Sequence, residues 1–280
     1  MTNHSHDVDP DTEKIEIALL LEGIFRKYGH DFRRYSYSTM RRRVWHRIHL
    51  EGLPTVSALL EKVLHDGVLF HRLLRDLVIP VTEMFRDPDM FLSFRRNVVP
   101  ILREIPYVRI WHAGCSTGEE AYSMAVLLHE EGLLDKTRIY ATDISEDALS
   151  RAKEGFIPID RMKLYTKNYQ ASGGLASFSD YYVAEHGLVM LKPSLRKNIV
   201  FARHNLVTDR SFNEFHVILC RNVMIYFDGE LRDRVHGLFH ESLASGGFLT
   251  VGSKESITFT SRSGCYDAFD DRNRIYRKNP

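Results

Sequence analysis

Cysteine is scarce in this sequence. The three present, Cys115, Cys220 and Cys265, are odd in number, far apart and in no CxxC spacing. That excludes a disulfide framework and a thiolate zinc site and fits a reducing compartment. A charge excess of one sign is missing too: 38 Lys and Arg stand against 37 Asp and Glu. No overall field therefore recommends nucleic acid or an anionic membrane as partner, and any basic patch must be local. No apolar run approaches the ~18 residues that cross a bilayer. The leader MTNHSHDVDPDTEK has neither a basic n-region nor an apolar h-region, so the expectation is a cytoplasmic protein, neither secreted nor membrane-inserted. His4 and His6 lie in that polar leader, and residues 1–13 read as a disordered tail rather than a metal site. No metal is expected elsewhere.

What is present is enough apolar sequence, 44% of 280 residues, to bury a substantial core in one large domain with or without a smaller one. From Lys14 to about Phe94 apolar residues recur at helical spacing, and Gly29, Gly52 and Gly67 read as helix stops. The pattern changes near Pro100 and Pro106, where YVRIWHAG reads as a buried strand and EEAYSMAVLLHEEG as a helix. This predicts a helical domain over 14–94 and a second domain over 95–280. In the second, TRIYATDI, IVFARHNL, EFHVILC, GFLTVGS and RIYRK read as strands. SEDALSRAKEG, with Ser145 as N-cap and Gly155 as stop, and DGELRDRVHGLFHESLASGG read as helices. About 160–200 breaks the rhythm with a Gly-Gly pair and the hairpin-like YYVAEHGLVML, so a small antiparallel insertion is expected there. Alternating strands and helices imply an α/β domain, a mainly parallel sheet covered on both faces.

In such sheets ligands bind beyond the carboxyl ends of the strands. After the first strand come Gly114, Cys115, Ser116, Thr117, Gly118, Glu119 and Glu120; after the second comes Asp143, suited to both hydroxyls of a ribose; after later strands come Asn205, Leu206, Arg221 and Asn222. Thr117 with Glu120, or Ser116 with Glu119, would form a capping box, and both registers are open. If Glu120 serves the cap, Glu119 is left for a ligand. Charge separates the candidate ligands: a pyrophosphate favours bare N–H groups at a helix start, and two glutamates oppose it. The close G-x-G-x-x-G spacing is also missing. S-adenosylmethionine (SAM), with an ammonium, a sulfonium and no phosphate, suits an acidic turn.

VTEMFRD (81–87), RIWHAGCSTGEEAYSMA (109–125), YATDIS (140–145) and VILCRNVMIYFD (217–228) resemble, in order and spacing, the CheR family of chemotaxis methyltransferases, and the resemblance runs from about residue 14 to near the end. It implies an N-terminal all-helical receptor-recognition domain and a Rossmann-like SAM-binding domain with a small antiparallel β-subdomain. It also implies methyl transfer from SAM to the γ-carboxylate of glutamates on chemoreceptor cytoplasmic coiled coils, leaving S-adenosylhomocysteine, in sensory adaptation of a bacterial signal-transduction pathway. Carried over residue by residue, the cofactor contacts fall on Thr82, Arg86, Glu119, Asp143, Asn205, Leu206, Arg221 and Asn222, with Gly114 serving the turn. Tyr226 matches a tyrosine near the transferring methyl. Pro80 departs from an asparagine found in some members.

A glutamate of reference pKa about 4.3 is already an anion at neutral pH, so no general base is needed. An anion meeting a sulfonium yields two neutral products, which a water-poor pocket favours. Arg86 and Tyr226 are the candidates for orienting the acceptor carboxylate or shaping the methyl site, while Cys115 and Cys220 read as small buried fillers. In MRRRVWHRIH, Arg43 and Arg47 share a helix face with Val44 and Ile48 turned inward. With Arg42 they are the candidates for docking an acidic coiled coil. The short hairpin turn near Ala184 to Gly187 predicts catalysis without a receptor C-terminal peptide tether, which some members use. The alternatives are a SAM methyltransferase with another acceptor, such as nucleic acid, and a non-catalytic SAM- or nucleotide-sensing module.

Overall fold

The computed structural model describes residues 9–78, 82–185, 187–258 and 260–280. His4, His6 and Pro80 lie outside them. The described chain divides into two compact units: the residues up to Val78 together with Tyr226–Leu231, and the remainder from Thr82 onward.

The first unit is built on helices α1 (Pro10–Tyr28), α2 (Tyr37–Leu50), α3 (Val56–His65) and α4 (Gly67–Leu77). Asp9 caps α1 by accepting the Thr12 N–H at 3.1 Å, and Gly29 closes it at φ 75, the left-handed stop that the sequence suggests. Gly67 is a correction: it begins α4 rather than ending α3. The Asp66 carboxylate accepts the Val68 and Leu69 N–H groups and so starts a new helix at once. Leu20, Ile24, Phe32, Val44, Ile48, Leu59, Val63 and Leu73 form the core. Tyr226–Leu231 joins this unit through two backbone bonds, Ser36 N–H to the Tyr226 carbonyl at 2.7 Å and Asp228 N–H to the Arg34 carbonyl at 2.8 Å. Phe227 meets Tyr35 edge-on, with ring centroids 5.0 Å apart.

The second unit opens with α5 (Pro88–Ser93), which runs through a π-turn at Phe94–Val98 into α6 (Val99–Arg103). A boundary at 94/95 would cut this arm. Pro100 sits in the first turn of α6, directly after the π-turn. Met90, Phe91, Phe94, Val98 and Leu102 are buried with Val108 and Ile110, so the arm belongs to the second core.

Its main sheet contains β1 (Val108–Ala113), β2 (Thr137–Asp143), β6 (Ile199–Arg203), β7 (Phe215–Cys220), β8 (Leu243–Val251), β9 (Tyr266–Asp270) and β10 (Ile275–Lys278), in the order β6-β2-β1-β7-β8-β10-β9. The first five run parallel, and β10 pairs antiparallel with both neighbours. The chain moves outward from β1 to β2 and β6, then returns to place β7 on the other side of β1. This makes a switch point between β1 and β7, where open sheets bind ligands. Helices α7 (Glu119–Glu130) and α8 (Glu146–Glu154) follow β1 and β2, the short α10 (Pro193–Arg196) precedes β6, and α11 (Gly229–Ser242) precedes β8. Ser145 caps α8 through the Ala148 N–H, and Gly155 ends it at φ 69, as expected.

The antiparallel insertion is present as a three-stranded sheet, β3-β5-β4, from β3 (Phe156–Pro158), β4 (Tyr182–Glu185) and β5 (Leu188–Leu191). It starts earlier than the sequence suggests, because β3 follows directly on the Gly155 stop, and it includes α9 (Met162–Ala171). Among the described residues no helix is long and apolar enough to cross a membrane.

Candidate active site

β1 delivers the turn Gly114–Gly118 to the switch point. Three of its five residues lie in the left-handed region, Gly114 at φ 78, Ser116 at φ 51 and Gly118 at φ 92. A Cβ on Gly114 would stand 2.5 Å from Val223 Cγ2, so only glycine lets the turn pass the loop after β7. The Gly114 and Cys115 N–H groups both donate to the Thr142 carbonyl at 2.8 Å, holding the turn against the end of β2.

Asp143, at the end of β2, is buried. Its Oδ2 accepts the Ser116 N–H at 2.8 Å and its Oδ1 the Ser145 N–H at 2.9 Å. Both oxygens keep further lone pairs for hydroxyl donors. Burial pushes this carboxyl above its usual range despite the amides. The Glu119 carboxyl is also pushed up by burial, opposed first by a 2.6 Å hydrogen bond from the Thr117 hydroxyl. Two incompletely compensated carboxylates beside one glycine turn suit a ligand that carries hydroxyls and positive charge.

Neither capping box forms. The N-cap of α7 is Gly118, without a side-chain cap bond. Glu120 instead makes a buried ion pair with Arg221, 2.8 Å from Oε2 to Nη1, while Oε1 lies 3.0 Å from His112 Nδ1. Burial would raise the Glu120 carboxyl, but Arg221 and His112 overcome it and hold it at about 2. The two adjacent glutamates therefore differ: Glu120 is neutralised by Arg221 and His112, while Glu119 is held by the Thr117 hydroxyl.

Arg221 comes from the end of β7, with its side chain 1% exposed. Besides Glu120 it donates to Asp87 Oδ2 at 2.7 Å and to the Arg86 carbonyl at 3.1 Å. As a side-chain cofactor contact it must be corrected, since the guanidinium is committed to the protein and only backbone at this position can face a ligand. What it does is pin the segment Thr82–Asp87. That segment is strained at Phe85 (φ 52) and Asp87 (φ 55). It is also held by the Phe85 N–H on Ser123 Oγ at 2.9 Å and by Asn168 Nδ2 on the Met84 carbonyl at 3.1 Å. Thr82 and Arg86 thus ride on a fixed support, and the Arg86 guanidinium makes no hydrogen bond or ion pair among the described residues.

Asn205 and Leu206 follow β6 and are buried. The His204 N–H donates to the Asp143 carbonyl at 3.1 Å, and Asn205 Oδ1 accepts the Val207 N–H at 2.9 Å. Asn222 adopts φ 62 and follows Arg221 directly. Thr82, Arg86, Gly114, Glu119, Asp143, Asn205, Leu206 and Asn222 therefore all belong to the second unit, on the sheet's carboxyl edge or the loop clamped to it. Tyr226 belongs by its contacts to the first. Cys115 and Cys220 are buried, and burial pushes both thiols well up, as small packing residues rather than nucleophiles.

On α2, Val44 and Ile48 point inward as expected, but so does Arg47, a further correction. Its side chain, 11% exposed, pairs with Asp76 at 2.6 Å and Glu51 at 3.0 Å and serves the fold of the helical unit. Arg41 is taken by Glu13. Arg42 is exposed and Arg43 half-buried.

Sequence reasoning missed Asp87, His112 and Glu255. Glu255 lies four residues past the end of β8, and looking beyond that strand end as well as the earlier ones would have found it.

A family model described as the CheR methyltransferase SAM-binding domain matches residues 80–268, and one described as its all-alpha domain matches 15–78. The putative methyltransferase Cher3 of Pseudomonas putida is 51% identical over 265 residues, 95% of this chain and 97% of its own. The chemotaxis protein methyltransferase of Listeria monocytogenes is 30% identical over 250 residues, 89% and 92% of the two chains. Chemotaxis protein methyltransferase 1 of Pseudomonas aeruginosa is 28% identical over 224 residues, 74% and 77%.

Proposed function

The chain belongs to the CheR methyltransferase family, and we propose that it methylates the γ-carboxylate of glutamates on the cytoplasmic coiled coil of chemoreceptors. At the coarser level it is a SAM-dependent methyltransferase of the chemotaxis type. The observation that carries the reading is the pair of carboxylates at the Gly114–Gly118 turn, the buried Asp143 and the half-buried Glu119, each with its carboxyl pushed up. The residues present fit the cofactor: Asp143 would take the ribose hydroxyls, Glu119 the ammonium, and Asn205, Leu206 and the Asn222 turn the adenosine.

When bound, SAM supplies an electrophilic methyl on a sulfonium. The protein's own part is orientation and exclusion of water, since an ionised glutamate needs no base. Arg86, on its clamped and strained segment, orients the acceptor carboxylate, and Tyr226 shapes the methyl site. Arg42 and Arg43 steer the acidic coiled coil; Arg47 is withdrawn from that role. β4 ends at Glu185 and β5 begins at Leu188, a short connection that supports catalysis without a C-terminal peptide tether. The reading entails a bacterial cytoplasmic protein that neither inserts in the membrane nor needs nucleic acid or a metal.

The test uses methyl-labelled SAM with receptor cytoplasmic fragments or nucleic acid as acceptor. Label entering the receptor fragment supports the reading; label entering only nucleic acid, or none despite SAM binding, contradicts it. In the same assay Arg43→Glu is expected to raise the KM for the fragment about tenfold through lost charge complementarity, while SAM affinity stays at the wild-type value. Equal loss of both would show that docking and cofactor sites are not separate.

A further inference from the structure

β7 and β8 end side by side, with Cys220 opposite Val251 in parallel register. Both strands therefore send their next turns to the same edge. After Val251 the chain folds back at Gly252, whose carbonyl accepts the Glu255 N–H at 2.8 Å. The Glu255 side chain, 7% exposed, reaches under the neighbouring turn. Its Oε2 accepts the Gly252 N–H at 2.6 Å and the Asn222 N–H at 2.9 Å, and its Oε1 accepts the Val223 and Ile225 N–H groups at 3.1 Å each. Four backbone amides from two loops converge on one carboxylate, a nest filled by a side-chain anion. The fit is tight: a Cβ on Gly252 would lie 2.6 Å from Glu255 Oε2 and 2.8 Å from the Asn222 nitrogen.

We propose that Glu255 is a positioning residue for methyl transfer, the anion that fixes the turn Asn222–Ile225 and thereby sets Asn222 at the cofactor site. The inference rests on the methyltransferase reading. Asn222 is held at a left-handed φ that a non-glycine residue leaves readily when its hydrogen bonds are lost. A carboxylate alone satisfies this nest, because both oxygens only accept. Glutamine in either orientation turns an NH2 group toward two N–H donors. Burial pushes the Glu255 carboxyl up, and the amides of Asn222, Gly252 and Ile225 pull it back, so the anion and the turn support each other.

The test compares full-length wild type, Glu255→Gln and Gly252→Ala. Hydrogen exchange of the 222–225 amides is measured without cofactor, SAM affinity by calorimetry, and kcat with a receptor fragment. In Glu255→Gln the Asn222, Val223 and Ile225 amides are expected to exchange at least about tenfold faster through local opening. Its kcat is expected to fall about a hundredfold from misplacement on the ångström scale. SAM affinity changes less, because Asp143 and Glu119 lie outside the turn. Gly252→Ala, which keeps the carboxylate but crowds it, gives the same pattern and stands in should the glutamine variant not fold. Wild-type exchange in Glu255→Gln overturns the clamp. Fast exchange with wild-type kcat overturns its role in positioning. A wild-type Gly252→Ala beside an impaired Glu255→Gln overturns it by assigning the effect to charge alone. Absence of methyl transfer by the wild type would instead strike the methyltransferase reading, while the exchange result still decides the clamp.

Discussion

Asp143→Ala is expected to weaken SAM binding by about a hundredfold or more in a calorimetric titration. The carboxylate stands at the end of β2, 8% exposed, with one amide on each oxygen. Two hydroxyl bonds to a charged acceptor contribute ~1.5–3 kcal/mol each, and ~1.4 kcal/mol is tenfold in affinity. A merely structural role makes a different forecast. Burial raises the Asp143 carboxyl above its value of 3.8 in the unfolded chain. Relative to the low-pH state, the charged form therefore burdens the unliganded fold, and increasingly so as pH rises through the folded pKa. Alanine removes that burden but leaves the Ser116 and Ser145 amides to find water. Melting of the unliganded variant is expected close to wild type, and the rise in Tm produced by saturating SAM is expected to vanish. A variant that melted far lower yet kept its SAM-induced shift would show that Asp143 holds the fold and not the ligand.

The second large effect is expected at Arg221, on stability. Arg221→Ala leaves Glu120 buried beside Asp87 without their shared cation, and breaking such a pair costs ~3–5 kcal/mol. Most of this falls on Glu120, since Asp87 is 40% exposed and screened. The pH dependence comes from the same pair. The Glu120 carboxyl is held at about 2 against 4.5 unfolded, so its contribution is complete above the unfolded value and is lost as pH falls toward the folded one. Denaturant unfolding across that range should show a declining limb in the wild type that is shallower in Arg221→Ala, where His112 alone still lowers the Glu120 carboxyl. Equal stability at neutral pH would contradict the clamp and return the arginine to the ligands.

The sheet was legible because its strands are continuous apolar runs and its helices carry stops such as Gly29 and Gly155. Asp143 was legible because a strand-end carboxylate is placed by topology alone. What stayed hidden depends on partners distant in sequence. Glu119 and Glu120 are neighbours with identical side chains, and only the fold brings His112 and Arg221 to one of them. Arg47 has the spacing of a surface residue, yet Asp76 draws it in across 29 positions. The domain boundary was missed because two prolines read as breaks, although one occupies the first turn of a helix that tolerates it.

The central claim is the chemistry of the product, a glutamate methyl ester. The most direct measurement is the intact mass of a receptor cytoplasmic fragment after incubation with the protein and SAM, before and after mild alkali. The account predicts added methyl groups that alkali removes as methanol, and none with Asp143→Ala. Methyl groups that survive alkali would place the transfer on nitrogen or another acceptor and contradict it.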